Sequence, residues 1–471
     1  MSDRIEARDA SAREASGRGD GFPSDFTWGA STSAYQIEGG MALDGGGTSI
    51  WDIFASTPGN VRGGANGRVA VDHRGRMAED VALMADLGIS AYRFSVSWPR
   101  VQPSGKGPAN QAGLDFYRAL VDELVSHDIE PVATLYHWDL PQELEDAGGW
   151  PARDTASRFG DYAAMVGQAI GDHVVRWSTL NEPWCAAFLG YASGVHAPGR
   201  TDPVAAVAAA HHLLLAHGIG VDALRSEVAD SAVVGLTVNP YPVVAAGDRP
   251  EDHDAARRVD GIANRIWYDP VLRGRYPDDV VDDLLPLGLL AVIQDGDLDQ
   301  ISRPIDGLGL NYYRRHHVRH RTGASRSPSE WVGSDDIELV EPPGPHTDGG
   351  WAIEPDGLAE VLHAAAAYDP PPLWIDECGA AFRDVVDADG TVHDTGRTDF
   401  LARHVDAARA AVDAGVDLRG FFAWSLLDNF EWAEGYAHRF GIVHIDFATL
   451  ERTPKASARW YAEQIGAHRS R

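Results

Sequence analysis

The chain has 471 residues, of which 44% are hydrophobic and 23% are charged, so it can form one large domain or two to three ordinary ones. Its 70 acidic and 40 basic residues give a formal net charge of -30, which argues against nucleic acid and anionic lipid as partners. No secretory signal and no stretch near eighteen consecutive apolar residues is present, so no membrane partner is predicted. Only two cysteines, Cys185 and Cys378, occur, which suits a reducing, cytoplasmic location.

The N-terminal segment is polar and charged, and we predict that residues 1–20 are a disordered lead-in to one folded domain covering residues 21–468. Across that domain, short β-like apolar runs alternate with amphipathic helical segments. The predicted strands are Phe26 to Tyr35, Ala91 to Ser97, Pro131 to Tyr136, Val174 to Leu180, Ala232 to Val238, Ile305 to Tyr312, Leu373 to Ile375 and Gly420 to Ser425. The clearest predicted helices are Ala78 to Leu87, Leu114 to Ser126, Arg158 to Ile170, Pro203 to Ala223 and Thr398 to Ala414.

Eight such strand–helix units predict an α/β fold, a single (β/α)₈ TIM barrel with its catalytic loops at the C-terminal ends of the strands. An open doubly wound sheet is the alternative architecture. It is disfavoured because the glycine-rich stretch Gly39 to Gly47 lacks the spacing of a phosphate loop and opens no helix. The stretch Arg321 to Gly349 is too irregular for a core element, and we predict that it forms a loop over the barrel mouth.

Two glutamates follow predicted strands at widely separated positions. Glu182 lies in TLNEPW after the fourth strand, and Glu377 lies in WIDECGAA after the seventh. The C-terminal end of a barrel strand is where this fold carries its catalytic groups. Two carboxyl groups are what glycosidic bond cleavage needs, one as the acid and one as the nucleophile. One glutamate at a strand end is more often an ordinary surface residue, but the pair favours a glycosidase site.

The other strand ends carry aromatic, amide and charged side chains of the kind that bind a sugar, which presents apolar faces and a rim of hydroxyl groups. Each alone is more typical of a structural residue, and their common placement is what favours a site. They are Gln36 and Glu38 after the first strand, Arg93 in the second, His137 and Trp138 after the third, Asn311, Tyr312 and Tyr313 at the sixth, and Trp424, Asn429, Glu431 and Trp432 at the eighth.

Together these segments resemble glycoside hydrolase family 1 β-glucosidases over nearly the whole chain. The resemblance rests on FTWGASTSAYQIEG, YRFSVSWPR, LYHWDLP, TLNEPW, GLGLNYY, WSLLDNFEW and RFGIVHIDF. It implies a retaining β-glucosidase that hydrolyses terminal non-reducing β-D-glucosyl residues by double displacement, tolerates β-galactosides and β-fucosides, and uses no cofactor and no metal. The implied partner is a β-glucoside or cello-oligosaccharide substrate. The oligomeric state, with a homo-oligomer as one option, is left open.

Carried over position by position, the resemblance implies Glu182 as the general acid/base and Glu377 as the nucleophile. Arg93, Asn311 and Tyr313 are implied to orient the nucleophile, and Trp184 and Trp351 to form aromatic walls on the aglycone side. The residues implied to hold the non-reducing sugar are Gln36, His137, Trp138, Asn181, Tyr313, Trp424, Glu431 and Trp432.

One segment departs from the family pattern, which usually reads Thr-Glu-Asn-Gly around the nucleophile. Here the residues are Asp376, Glu377, Cys378 and Gly379. Because side chains alternate along a strand, we expect Asp376 and Cys378 to point away from the sugar when Glu377 points at it. An ionised Asp376 nearby is expected to raise the pKa of the nucleophile.

Two other functions remain as alternatives. A 6-phospho-β-glycosidase on the same barrel would bind a dianion and would need Ser, Lys and Tyr after the eighth strand, where this chain has Glu431 and no Lys. A non-catalytic sugar-binding barrel would be expected to lack one of the two carboxylates, and both are present.

Overall fold

The computed structural model describes residues 21–323 and 328–470. The predicted lead-in, residues 1–20, lies outside the described residues. Eight parallel strands close into a barrel in which each strand pairs with the next along the chain and the last pairs with the first. They are β1 (Thr27–Ser31), β2 (Ala91–Ser95), β3 (Glu130–Tyr136), β4 (Arg176–Asn181), β5 (Val233–Val238), β6 (Gly307–Tyr312), β7 (Leu373–Cys378) and β8 (Leu418–Trp424). The predicted (β/α)₈ barrel is confirmed.

Helices follow the strands and form the outer layer. The longer ones are His73–Asp86, Gln111–Ser126, Asp154–Ile170, Pro203–Glu227, Pro250–Asp260, Ile266–Arg273, Asp356–Ala366, Thr395–Asp413 and Ala456–Arg469. The shorter ones are Ala34–Ile37, Ile50–Ser56, Trp98–Val101, Gln142–Asp146, Asp278–Leu284, Leu289–Val292 and Asp297–Ile301. Small outer strands are Val243–Ala245, His316–His320, Ile337–Leu339, Val443–Ile445 and Arg452–Pro454.

Three predicted elements at the barrel mouth differ from the observed ones. The first predicted strand runs too long, because the chain turns after Ser31 into the short helix Ala34–Ile37. The seventh is too short, since β7 continues through polar residues to Cys378. The stretch predicted as an irregular loop, 321–349, contains the strand Ile337–Leu339, which pairs with His316–His320. Residues 324–327 of that stretch lie outside the described residues.

The helix Pro203–Glu227 is the one described element that is long and apolar enough, by length and composition alone, to cross a membrane. Its most apolar window is 89% buried inside the protein. It packs mainly on Asp154–Ile170, and this burial is typical of a core helix.

A buried ionic cluster joins the loops after β7 and β8 to the last helix. Lys455 is fully buried, and its ammonium group lies 2.5 Å from Asp384 and 2.7 Å from Asp428. Arg439 donates to the other oxygen of Asp428 at 2.6 Å, and Arg397 donates to Asp384 at 3.0 Å. Asp428 belongs to the loop that begins at the end of β8, so the cluster holds that loop against the barrel.

We expect Lys455→Met to lower the free energy of unfolding by about 3–5 kcal/mol, because it leaves two buried carboxylates without their shared cation. The matched control is Lys106→Met, which removes the chain's only other lysine from an exposed position and should change stability by less than about 0.5 kcal/mol. Urea denaturation monitored by tryptophan fluorescence measures both. Equal midpoints for the two variants would show that the cluster contributes little.

Candidate active site

The two predicted catalytic strands are both irregular just before their glutamates. The pairing of β4 with β5 shifts between Ser178 and Asn181, and the pairing of β7 with β6 shifts between Ile375 and Glu377. Such bulges re-aim side chains at a sheet end and are common beside active sites. Glu182 then follows β4 with a left-handed backbone, at φ 46°. Local irregularity therefore directs both carboxyl groups into the mouth of the barrel.

Glu377 is buried and accepts two strong hydrogen bonds. Arg93 Nη1 donates to its Oε1 at 2.8 Å, and the Tyr313 hydroxyl donates to its Oε2 at 2.6 Å. Arg93 is only 1% exposed, so its charge is weakly screened by solvent. Both oxygens of Glu377 are thereby fixed, and the ionised form of this carboxyl group is favoured by a cation and a hydroxyl donor.

Glu182 is also buried but has only neutral donors. Asn311 Nδ2 donates to Oε1 at 2.6 Å, and the thiol of Cys185 donates to Oε2 at 3.1 Å. Asn239 Nδ2 in turn contacts the Cys185 sulfur at 3.5 Å. A thiol is a weak donor, so the Oε2 side of Glu182 is held less firmly than either oxygen of Glu377.

The pKa values of the two carboxyl groups are coupled. Burial and the negative charge of Glu182 raise the pKa of Glu377, which Arg93 and Tyr313 oppose. Burial raises the pKa of Glu182, which the hydrogen bonds from Asn311 and Cys185 oppose. Two buried carboxyl groups whose charges repel each other in this way retain one proton between them over a range of pH. The donors present favour the charge on Glu377 and the proton on Glu182.

Asn181 and His137 form a second polar group at the mouth. The Asn181 side-chain oxygen accepts from Arg93 Nη2 at 2.6 Å and from Asn311 Nδ2 at 3.1 Å, so its amide nitrogen faces His137 and donates to Nε2 at 3.1 Å. Burial and the nearby charge of Arg93 hold the pKa of His137 well below its usual range. His137 is therefore neutral with its proton on Nδ1, which has no acceptor among the described residues.

Gln36 and Glu431 form the third polar group. Gln36 Nε2 lies 3.3 Å from Glu431 Oε2 and also donates to the Phe430 carbonyl at 2.9 Å, while its own oxygen accepts from Ser33 at 2.6 Å. Burial and the charges of Glu377 and Glu182 raise the pKa of Glu431 to about 8.

Aromatic rings surround these polar groups. Trp424, at the end of β8, lies parallel to His137 with ring centres 5.9 Å apart, and Trp432 packs on Trp138 at 4.6 Å. Trp351 meets the Tyr313 ring at 5.8 Å. The structure thus brings the predicted sugar-binding residues and Trp351 to one mouth. Trp184 is only 4% exposed and packs instead on Phe188, Tyr241 and Trp331.

The expectation for Asp376 is wrong. Strict alternation would place Asp376 and Cys378 on one face of β7, and Cys378 does lie in the core outside the barrel. Asp376 instead points into the barrel interior, where Arg176 lies 2.7 Å from Oδ1 and Thr237 donates to Oδ2 at 2.7 Å. The register shift between Ile375 and Glu377 removes the alternation and allows both acids to face inward.

Several contributors were missed by the sequence reasoning. Asn239 directly follows β5, so the same strand-end rule would have found it. Cys185 and Trp331 carry no such signal, since one depends on a local helical turn and the other on an irregular loop. Glu38, noted at the end of the first strand, lies outside the site and pairs with Arg100 at 2.9 Å. Among the described residues, no group of His, Cys, Asp and Glu is arranged to hold a metal ion.

Known proteins are similar to this chain along nearly its whole length. The sequence model described as glycosyl hydrolase family 1 matches residues 18–470. The thermostable β-glucosidase B of Thermobispora bispora is 49% identical, covering 94% of this chain and 90% of the relative. The bifunctional β-D-glucosidase/β-D-fucosidase of Bifidobacterium breve is 45% identical over 96% of this chain and 99% of its own length. The crystal structure of a psychrophilic β-glucosidase from Micrococcus antarcticus superposes with a TM-score of 0.92 at 47% identity, covering 95% of this chain and 98% of that one.

Proposed function

The chain belongs to glycosyl hydrolase family 1, and from this membership and the site geometry we propose how its residues hydrolyse β-glucosides with retention of configuration. The chain is a β-glucosidase, and its relatives are named for the same activity. The proposal assigns Glu377 as the nucleophile and Glu182 as the general acid/base.

The observation that carries this assignment is the difference between the donors on the two carboxyl groups. Glu377 receives a guanidinium and a phenol hydroxyl, whereas Glu182 receives an amide and a thiol. A nucleophile must be ionised in the resting enzyme, and a general acid must be protonated. The charged donor therefore marks Glu377 as the nucleophile.

The reaction proceeds in two displacements. In the first, an oxygen of Glu377 forms a bond to the anomeric carbon while the bond to the aglycone oxygen breaks, and Glu182 gives its proton to that leaving oxygen. The negative charge of Glu377 is then lost in the ester, so the pKa of Glu182 falls and its carboxylate can act as a base. In the second, water attacks the anomeric carbon, Glu182 accepts the water proton, and Glu377 leaves as a carboxylate.

The sugar is held by the groups that surround the carboxyls. The Nδ1–H of His137 is free to donate to a hydroxyl group, and the amide of Gln36 and a carboxyl oxygen of Glu431 present a donor and an acceptor side by side. Trp424 supplies an apolar face for the ring, and Asn181 lies beside Glu182 where it can contact the 2-hydroxyl. Trp351 and Trp184 line the aglycone side. We propose β-glucosides or cello-oligosaccharides as substrates, in the cytoplasm.

The first prediction concerns the nucleophile. Glu377→Gly should lose several orders of magnitude in kcat, and added azide should restore turnover by attacking from the vacated side to give the α-glucosyl azide. The matched control is Glu182→Ala, which still forms the glycosyl-enzyme and should give the β-azide. Product configuration is read by proton NMR. A β-azide from the Glu377 variant would remove this residue from the nucleophile's role.

The second prediction concerns the acid. Glu182→Ala should slow alkyl glucosides and cellobiose far more than dinitrophenyl glucoside, because only poor leaving groups need protonation. Plotting log(kcat/KM) against leaving-group pKa for wild type and variant measures the difference in slope. Parallel plots would contradict the assignment.

The third prediction concerns selectivity against phosphorylated sugars. We expect Glu431 to accept hydrogen bonds from the 4- and 6-hydroxyls, so that a 6-phosphate would meet a partly buried carboxyl group, with no Lys or Arg between residues 424 and 435 to neutralise the phosphate charge. A phosphate left without a cation in such a site is disfavoured by about a thousandfold. Glu431→Ser should weaken cleavage of nitrophenyl β-glucoside and reduce the discrimination against its 6-phosphate.

The matched control is Glu434→Ser, which removes an exposed carboxylate of the same loop and should leave the ratio unchanged. A wild-type enzyme that prefers the 6-phosphate would favour the phospho-glycosidase instead.

A further inference from the structure

A second acid lies directly beneath the nucleophile, and the mechanism above does not use it. Asp376 is fully buried in the barrel interior, where three strands other than its own supply its partners. Arg176 on β4 lies 2.7 Å from Oδ1, Thr237 on β5 donates to Oδ2 at 2.7 Å, and Arg93 Nε on β2 lies 3.8 Å from Oδ2. Charged partners hold the pKa of Asp376 below its usual range although burial opposes them, so it is ionised.

The barrel interior is built around this pair of charges. The guanidinium of Arg176 lies between the rings of Trp374 and Phe422, at 4.9 and 5.0 Å from their centres, which is favourable for a cation shielded from water. Gly309 on β6 leaves the space for the acid, since a Cβ atom there would overlap Asp376 Oδ2. Asp376 is therefore accommodated by residues of several strands.

The cation that connects this pair to the catalytic carboxyl group is Arg93. Its Nη1 donates to Glu377, its Nη2 donates to Asn181, and its Nε faces Asp376 without a hydrogen-bond acceptor among the described residues. The positive charge of Arg93 is thus shared between two carboxylates, one that reacts and one that does not. Arg176 adds a second positive charge to the barrel interior, and the negative charge of Asp376 offsets it.

We propose that Asp376 and Arg176 form a charge-balanced pair of positioning residues beneath Arg93, and that this pair sets the pH range over which Glu377 is ionised. The inference rests on the proposed role of Glu377 as nucleophile. Neither residue touches the substrate, and both act through Arg93 and through the electrostatic potential at the barrel mouth.

Other titratable groups facing Glu377 come from every neighbouring part of the mouth. They are Arg93 on β2, Glu182 and Cys185 after β4, Tyr313 after β6 and Glu431 after β8. Charge changes confined to Asp376 and Arg176 leave all of these in place, so the pair can be tested separately.

The sign of each effect follows from the charges. Asp376→Asn removes a negative charge near Glu377 and leaves the charge of Arg176 unbalanced, which favours the ionised nucleophile. Arg176→Gln leaves Asp376 unbalanced and disfavours it. In a medium of effective dielectric about 20, a unit charge about 10 Å away shifts a pKa by about one unit. The double variant Asp376→Asn, Arg176→Gln conserves net charge and should return the midpoint towards that of wild type.

The experiment measures the pH dependence of inactivation by 2,4-dinitrophenyl 2-deoxy-2-fluoro-β-glucoside. Glu377 forms the bond to the anomeric carbon, and dinitrophenolate leaves with the electron pair without needing protonation, so the acidic limb reports ionisation of the nucleophile alone. We expect this limb to move to lower pH in Asp376→Asn, to higher pH in Arg176→Gln and back in the double variant. The direction in which the acidic limb moves in either single variant tests the sign of the proposed effect.

The matched control is Asp80→Asn, which removes a buried carboxylate of the outer helix His73–Asp86 that pairs with Arg452, and should lower the melting temperature without moving the limb. A limb that stays fixed in both single variants, with only stability reduced, would overturn the inference. Mass spectrometry of the labelled peptide separates this result from failure of the proposed function, because a label on a residue other than Glu377 would overturn both.

Discussion

The guanidinium group of Arg93 is a positive charge buried at the mouth of the barrel. A buried cation needs acceptors around it, and this requirement fixes the orientation of the side chains that Arg93 contacts. Its two terminal nitrogens donate to Glu377 and Asn181, which come from strands on different sides of the barrel. Asn181 is thereby oriented so that its amide nitrogen meets His137, and that contact in turn places the His137 proton on the free nitrogen. One cation therefore determines the protonation and direction of groups on three other strands.

The mouth of the barrel has more carboxyl groups than cationic side chains, and this imbalance determines which carboxyl groups keep a proton. Glu182 and Glu377 are buried beside Arg93, and Glu431 is partly buried nearby, so the three carboxyl groups cannot all be ionised at once. Protons remain where the donors are neutral, on Glu182 and, below about pH 8, on Glu431. Forming the glycosyl-enzyme removes one of the competing charges, which is the change that turns Glu182 from an acid into a base. Burial of the carboxyl groups is unfavourable in the empty site. It also strengthens the repulsion between them, and the loss of that repulsion changes Glu182 from an acid to a base between the two steps.

Sequence reasoning located the site because the polar residues of a parallel barrel gather where its strands end, and short apolar runs mark those ends. Glu182, Glu377 and Asn311 were all found in this way. Alternation along β7 gave the wrong position for Asp376, since a register shift is a property of strand pairing and leaves no mark in one strand's sequence. Trp331 was missed because its packing on Trp184 depends on where a long loop folds back.

Three residues at the mouth have backbone conformations that local residue preferences would not predict. Trp138, Glu182 and Trp432 have left-handed backbones, at φ 78°, 46° and 47°, where glycine would be the unstrained choice. Glycine has no side chain, so these positions keep the ring or the carboxyl group and accept a local cost of about 1 kcal/mol or more each. Surrounding structure must hold such conformations. For Trp432 that structure includes its packing on Trp138 and, through Asp428 of the same loop, the buried contact with Lys455. The ion cluster around Lys455 thus helps to hold the loop that carries the sugar-binding residue Trp432.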